Sequence, residues 1–165
     1  MKTGKVIQQE DIQDILELTK ISNISEAPTT SSNSNKWRNS LKYQVDYQLF
    51  PELCKTIEDF VNDGTKVNQF DLLLYKEGHY YKKHKDVIEE RKRTWTSITM
   101  IDKKDLKGGE IVVYNKDKNI IDLDIGETIV FKSSLYHKAK KVLHGTRLVL
   151  VCLLYTSDAA DEVVR

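Results

Sequence analysis

In the stretch YKEGHYYKKHKDV, residues 75–87, His84 and Asp86 stand two positions apart, just past an apolar run at Leu72–Leu74. On a β-strand the side chains at i and i+2 share a face, so this imidazole and carboxylate project together and Lys85 turns away. One imidazole and one carboxylate can hold a metal ion, but they need a third donor from another part of the chain. His137 is the best candidate. It lies in ETIVFKSSLYHKAKKV, where a strand ends at Phe131, a Ser-Ser turn follows and a new strand begins. Arg147 follows ten residues later in HGTRLVLV. A regular strand would put it on the face of His137, although the intervening LHG turn weakens that count.

Two histidines and one carboxylate form a facial triad that leaves positions open on the metal, the arrangement of non-haem Fe(II) oxygenases. An arginine entering an apolar strand needs an anionic partner, because an unpaired buried charge is costly. A dicarboxylate co-substrate would supply one, gripped by the guanidinium in a bidentate pair. His-x-Asp alone is more often a polar strand end; His137 and Arg147 together tip the reading to a metal site. Tyr75 divides evenly between a core aromatic and a co-substrate contact. Tyr81 reads as packing, Gly78, Gly108, Gly109 and Gly126 as turn residues, and Glu110 as structural. His79 and His144 are given no role. Lys82, Lys83, Lys138, Lys140 and Lys141 read as a solvated rim. Trp37 and Trp95 fit either the core or a substrate platform.

The elements that must position these residues follow from patterning. The 165 residues suit one domain with its own core. Lys plus Arg (26) nearly balances Asp plus Glu (25), which argues against duplex DNA or an anionic membrane surface as partner. Cys54 and Cys152 are too few for a disulfide framework, and no signal-like or membrane-spanning run is present. A cytoplasmic, reducing setting is the expectation. Helical spacing predicts a helix over 9–20, with Ile12, Ile15, Leu16 and Leu18 apolar, and a second over 51–63, with Pro51 at its start and Leu53, Ile57, Phe60 and Val61 on one face. Residues 22–36 read as a loop. From residue 68 short apolar runs alternate with turn signals, the pattern of an all-β sandwich or barrel. The expected fold is mainly β with N-terminal helices: helical support over 1–67 and a jelly-roll core over 68–151. Residues 152–162, CLLYTSDAADE, resemble one translated frame of a transposase adapter used in DNA sequencing. Residues 152–165 are therefore set aside as a doubtful tail, and no function is read from them.

YKEGHYYKKHKD resembles the Tyr-x-x-Gly-x-x-Tyr-x-x-His-x-Asp motif of prolyl 4-hydroxylase-type 2-oxoglutarate/Fe(II) dioxygenases, with Tyr75, Gly78, Tyr81, His84 and Asp86 in register. KGGEIVVY resembles that family's Gly-Gly-Glu segment, and GETIVFKSSLYHKAKKVLHGTRLVL resembles the segment with the distal histidine and a basic residue ten positions on. Procollagen-type members carry lysine at that basic position; Arg147 is similar to the oxygen-sensing prolyl hydroxylases. WRNS, residues 37–40, faintly resembles an upstream Arg-x-Ser element. The resemblance spans roughly 68–151. It implies a double-stranded β-helix, iron on His84, Asp86 and His137, 2-oxoglutarate held by Arg147 with help from Tyr75, and ascorbate as a candidate reductant. It further implies hydroxylation with release of succinate and CO2, a prolyl residue in a peptide or protein being preferred over a small-molecule substrate. One departure is clear: only VIEERKRT separates the first ligand pair from the next strand, where procollagen-type enzymes have a longer stretch near the substrate. Two alternatives stand beside this reading, a non-catalytic jelly-roll binding module and a cupin-like metalloenzyme that does not use 2-oxoglutarate.

Overall fold

The computed structural model describes residues 1–21, 24–26, 37–87 and 92–156. In chain order the elements are β1 (Lys2–Lys5), α1 (Gln9–Ile21), β2 (Ile24–Glu26), β3 (Arg38–Asn39), β4 (Leu41–Val45), a 3₁₀ turn (Tyr47–Leu49) and α2 (Pro51–Val61). There follow β5 (Lys66–Tyr75), β6 (Tyr80–His84), β7 (Arg93–Gly108), β8 (Ile111–Asn115), β9 (Asp117–Ile121), β10 (Glu127–Lys132), β11 (Tyr136–Ala139) and β12 (Val142–Tyr155). The strands form two sheets, in the orders β1-β10-β7-β12-β5-β4-β2 and β3-β6-β11-β8-β9. All of their pairings are antiparallel, and the two faced sheets make a jelly roll.

The larger sheet is covered on both faces, which explains why its central strands read as unbroken apolar runs. In β5, Phe70 and Leu72 face the helices, and Leu73 and Tyr75 face the barrel interior. In β12, Leu148, Leu150, Cys152 and Leu154 join the helix-side core with Ile12, Ile15, Leu53 and Ile57, and Val149 joins the interior core. That parity sends Arg147 inward. Its strand partner is Tyr75, so the two chemistry-bearing residues lie side by side across β12 and β5.

Both helices form where periodicity places them. α2 starts with Pro51 in its first turn and stops at Asn62, which adopts a left-handed conformation (φ 57°). The N-terminal third also supplies four strands that helical patterning does not reveal. The segment expected as a loop contains the short strand β2; residues 22–23 and 27–36 lie outside the described residues. The LHG turn expected before Arg147 is instead part of β12, where the pairing with β7 shifts register around His144. Gly108, expected as a turn residue, is likewise the last residue of strand β7. β12 runs past Val151 to Tyr155, with Cys152, Leu153, Leu154 and Tyr155 all buried. Residues 157–165 lie outside the described residues.

Candidate active site

Two paired strands bring the predicted ligands together. His84 ends β6, Asp86 follows two residues later, and His137 on β11 is the strand partner of His84. His84 Nε2 lies 3.4 Å from Asp86 Oδ1, and His137 Nε2 lies 3.3 Å from Asp86 Oδ2. One donor atom from each residue falls within 4.8 Å of the others.

The imidazoles are turned for metal binding. His84 Nδ1 is 2.7 Å from the Lys82 carbonyl and His137 Nδ1 is 3.1 Å from the Leu135 carbonyl. A carbonyl only accepts, so each Nδ1 carries hydrogen and a neutral ring presents a bare Nε2 lone pair to Asp86. Two such lone pairs beside a carboxylate repel unless a cation stands among them, which is the donor set of a divalent metal site. Burial works against the charged form of Asp86. Without a metal, a second proton on either ring's Nε2 makes it a donor to Asp86, which outweighs burial and holds the carboxyl far below the usual carboxylate range.

Neighbouring side chains and backbone groups brace the three residues. Tyr81 stacks on His84 with centroids 3.6 Å apart, and Phe131 packs against His137 at 4.8 Å. Asp86 N–H donates to the Ser133 carbonyl at 3.1 Å, and Arg93 Nη1 donates to the Asp86 carbonyl at 3.1 Å. Thr96 Oγ1 donates to Asp86 Oδ2 at 2.7 Å.

Beside the triad lies a cavity of about 80 Å³ whose lining includes Tyr75, Arg147, Ile98, Ile111 and Val149. Arg147 is buried and its Nη1 donates to the Gly109 carbonyl. Its guanidinium carbon sits 4.4 Å from the Tyr75 ring centre. Arg147 Nε has no hydrogen-bond partner, and among the described residues no carboxylate stands within ion-pair distance of it; nearby Glu110 pairs with Lys140 at 3.3 Å. A buried cation with an unused donor is suited to an anion entering the cavity. Gly109 has φ +72°, and a Cβ there would meet Val142 Cγ2 at 2.9 Å, so the turn that offers its carbonyl to Arg147 requires glycine. Burial raises the Tyr75 phenol above its ordinary value, partly offset by the Arg147 charge, so it stays a neutral hydroxyl.

A jelly roll that gathers two histidines and a carboxylate about one point, with a buried arginine in the same cavity, is the architecture of mononuclear non-haem oxygenases. Residues 70–155 match the model of the 2OG-Fe(II) oxygenase superfamily, and the chain belongs to that family. It is 25% identical to a PKHD-type hydroxylase of Prochlorococcus marinus (strain MIT 9515), over 90% of this chain and 75% of the relative. Among solved structures it resembles a prolyl hydroxylase from Trichoplax adhaerens in complex with a hypoxia inducible factor oxygen degradation domain peptide fragment (TM-score 0.73, 13% identity, 98% of this chain and 86% of that one). It also resembles the viral collagen prolyl hydroxylase of Paramecium Bursaria Chlorella virus-1 in complex with 2OG (TM-score 0.68, 18% identity, 94% and 95% covered). The protein is thus a dioxygenase of the 2-oxoglutarate/Fe(II) superfamily, with Fe(II) and 2-oxoglutarate as its metal and co-substrate.

The remaining predicted residues fall outside the cluster or at its margin. His79 sits in the β5–β6 turn, where its Nδ1 accepts the Lys76 N–H at 3.1 Å. His144 is exposed, 3.9 Å from Glu77. Trp95 donates from its indole to Asp63 and lies under Lys132, whose Nζ is 3.8 Å from the ring centre. It packs against the helix-side core, away from the cavity. Trp37 is half exposed. Lys83 lies over the Tyr114 ring, and Lys138 reaches the cavity lining. Among the described residues no helix is long and apolar enough to cross a membrane. Sequence reasoning missed Thr96, Ser133 and Asp71, and touched Arg38 only through the Arg-x-Ser resemblance of WRNS. Arg38 and Asp71 line the cavity, and Arg38 lies 4.7 Å over the Tyr81 ring. Strand parity was the available signal: Thr96 shares the inward face of β7 with Ile98 and Met100.

Proposed function

We propose that His84, Asp86 and His137 bind Fe(II), that Arg147 binds the far carboxylate of 2-oxoglutarate, and that the enzyme hydroxylates a prolyl residue in a peptide or protein. The observation that carries the reading is the convergence of three metal donors beside a buried, partly unsatisfied arginine in one cavity. When bound, iron and 2-oxoglutarate supply the oxidising chemistry, with succinate and CO2 as co-products. The chain's own residues do the positioning. The two imidazoles present Nε2 to the metal with their tautomers set by backbone carbonyls. Arg147 offers its free Nε edge, and the Tyr75 hydroxyl stays protonated as a neutral hydrogen-bonding partner for the co-substrate. Ile98, Ile111 and Val149 exclude water from the cavity wall.

The peptide reading draws support from the Trichoplax relative, whose structure holds a peptide fragment. The arginine argues against a binding module or a site that does not use 2-oxoglutarate, since neither gives it an anion.

The test is to add Fe(II) and 2-oxoglutarate anaerobically and record the visible charge-transfer band of the chelate. The band is expected from the parent protein and lost in His84→Ala and Asp86→Ala. A folded, metal-loaded protein without the band sinks the assignment. Proline-containing peptides incubated with the aerobic enzyme should gain one oxygen by mass with succinate in equal amount; succinate without any oxidised peptide would move the substrate to another class.

A further inference from the structure

We propose that Ser133 and Thr96 form a hydroxyl relay that engages one oxygen of Asp86 and leaves the other as the single carboxylate donor to the metal. The inference rests on the metal role assigned above to the triad. Its starting point is the direction of two hydrogen bonds. An ionised carboxylate only accepts, so the 2.7 Å contact between Thr96 Oγ1 and Asp86 Oδ2 uses the one hydroxyl hydrogen of Thr96. Thr96 Oγ1 also lies 3.0 Å from Ser133 Oγ. With its own hydrogen committed, Thr96 must accept there, and Ser133 donates. The order is Ser133 to Thr96 to Asp86.

Both hydroxyl residues are fully buried, so water does not compete for these bonds. Ser133 holds Asp86 a second time, because its carbonyl accepts the Asp86 amide N–H at 3.1 Å. Ser133 is itself fixed by its N–H, which donates to the Thr94 carbonyl at 3.0 Å. Thus one residue of the turn after β10 sets the Asp86 backbone directly and its carboxylate through Thr96.

The chemical consequence concerns coordination number. A hydrogen bond from Thr96 draws negative charge toward Oδ2 and weakens it as a metal donor. Both oxygens face the triad, Oδ1 at 3.4 Å from His84 Nε2 and Oδ2 at 3.3 Å from His137 Nε2, so it is the Thr96 bond that distinguishes them and leaves Oδ1 the stronger donor. Single-point attachment leaves three of six positions for the co-substrate and dioxygen. Attachment through both oxygens would take a position that those two molecules need. Thr96 and Ser133 are therefore positioning residues, acting through Asp86.

The test uses Thr96→Val, which keeps shape and removes the hydroxyl, Thr96→Ser, which restores a hydroxyl, and Ser133→Ala. Mn(II) affinity of the metal-free proteins is measured first. Thr96→Val is expected to bind about 10- to 100-fold more weakly, the usual effect of losing a partner of a metal ligand, because the unanchored carboxylate must then be ordered by the metal itself even where both oxygens reach it. Thr96→Ser should return to the parent value, and Ser133→Ala should fall between. The second readout is the anaerobic Fe(II)/2-oxoglutarate band at saturating metal, followed after air is admitted. In Thr96→Val it should form and then decay more slowly than in the parent by about tenfold or more. A folded Thr96→Val protein with parental Mn(II) affinity and parental decay overturns the relay. Should that variant fail to fold, parental affinity in Ser133→Ala overturns it. A parent protein that binds no Mn(II) sinks the metal assignment and the relay with it. A parent that binds Mn(II) but forms no band sinks only the co-substrate assignment, and the affinities still decide the relay.

Discussion

Arg147 shows what one residue reveals before and after folding. Its charge in an apolar strand demands an anion, and that much is legible from sequence. Its direction is not, because LHG reads as a turn and breaks the count from His137. Folding settles the direction by parity: Leu148 and Leu150 bury against the helices, so Arg147 turns inward beside Tyr75. Arg147→Ala should weaken 2-oxoglutarate binding by about 100-fold or more, since removing one partner of a buried charge pair costs about 3–5 kcal/mol. Arg147→Lys should sit between, because an ammonium replaces a fork by a point charge. Titrating the anaerobic band with 2-oxoglutarate measures both; parental affinity in the alanine variant would remove the assignment. The i, i+2 spacing of His84 and Asp86 suggests a shared face, and it reads as a metal site only with His137 and Arg147 beside it. Thr96 and Ser133 were not legible, because hydroxyl residues are ordinary in strands and turns, and only the approach of β7 to the turn after β10 makes them partners of Asp86.

At the scale of elements, the amphipathic helices were legible because a 3.6-residue apolar period is long and redundant. The N-terminal strands were not, because two to five residues carry too little periodic signal and their pairing partners lie far along the chain. The helices support the site from behind the larger sheet, and that separation can be tested. Ile57 of α2 is fully buried in the helix-side core, away from the cavity. Ile57→Ala should cost about 2–5 kcal/mol, lowering Tm by roughly 5–15 °C. The folded variant should bind metal with parental affinity, and a metal affinity that fell with Tm would show the helix layer to be part of the site. Cys54 on the same helix gives a pH test. Burial, then the nearby Glu58 charge, pushes its thiol up to about 11 from an ordinary 9.0. Above its ordinary pKa the unfolded thiol ionises while the folded one keeps its proton, so the unfolded state binds fewer protons and stability falls with pH. The contribution is intact below pH 9 and is lost between pH 9 and about 11. Denaturant melts at pH 8, 9 and 10.5 on the parent and on Cys54→Ala should show a decline in the parent that the variant reduces; equal declines would assign the alkaline loss to other groups.

The whole molecule couples the site to the fold, because the site draws on both sheets. His84 and His137 belong to the smaller sheet, Arg147 and Tyr75 to the larger, and Asp86 is held by the turn that follows β10 of the larger sheet. A metal on the triad and a dicarboxylate reaching to Arg147 would therefore bridge the two layers. Neither site exists in the unfolded chain, so each ligand should stabilise the native state by mass action. Mn(II), which does not start oxygen chemistry here, is the suitable probe for thermal unfolding. At a hundredfold excess over its dissociation constant it should add about 2.7 kcal/mol, raising Tm by roughly 5–10 °C. Adding 2-oxoglutarate alone should do less than adding it after Mn(II), because its keto and near carboxylate oxygens need the metal and only its far carboxylate has Arg147. The two ligands together should exceed the sum of the separate shifts, and a chelator should reverse both. His84→Ala should lose the metal shift and the synergy while retaining a small response to 2-oxoglutarate; Arg147→Ala should keep the metal shift and lose most of the synergy. Strictly additive shifts in the parent would mean that the dicarboxylate does not span from metal to Arg147, and the layered picture of the site would fail even if each ligand bound.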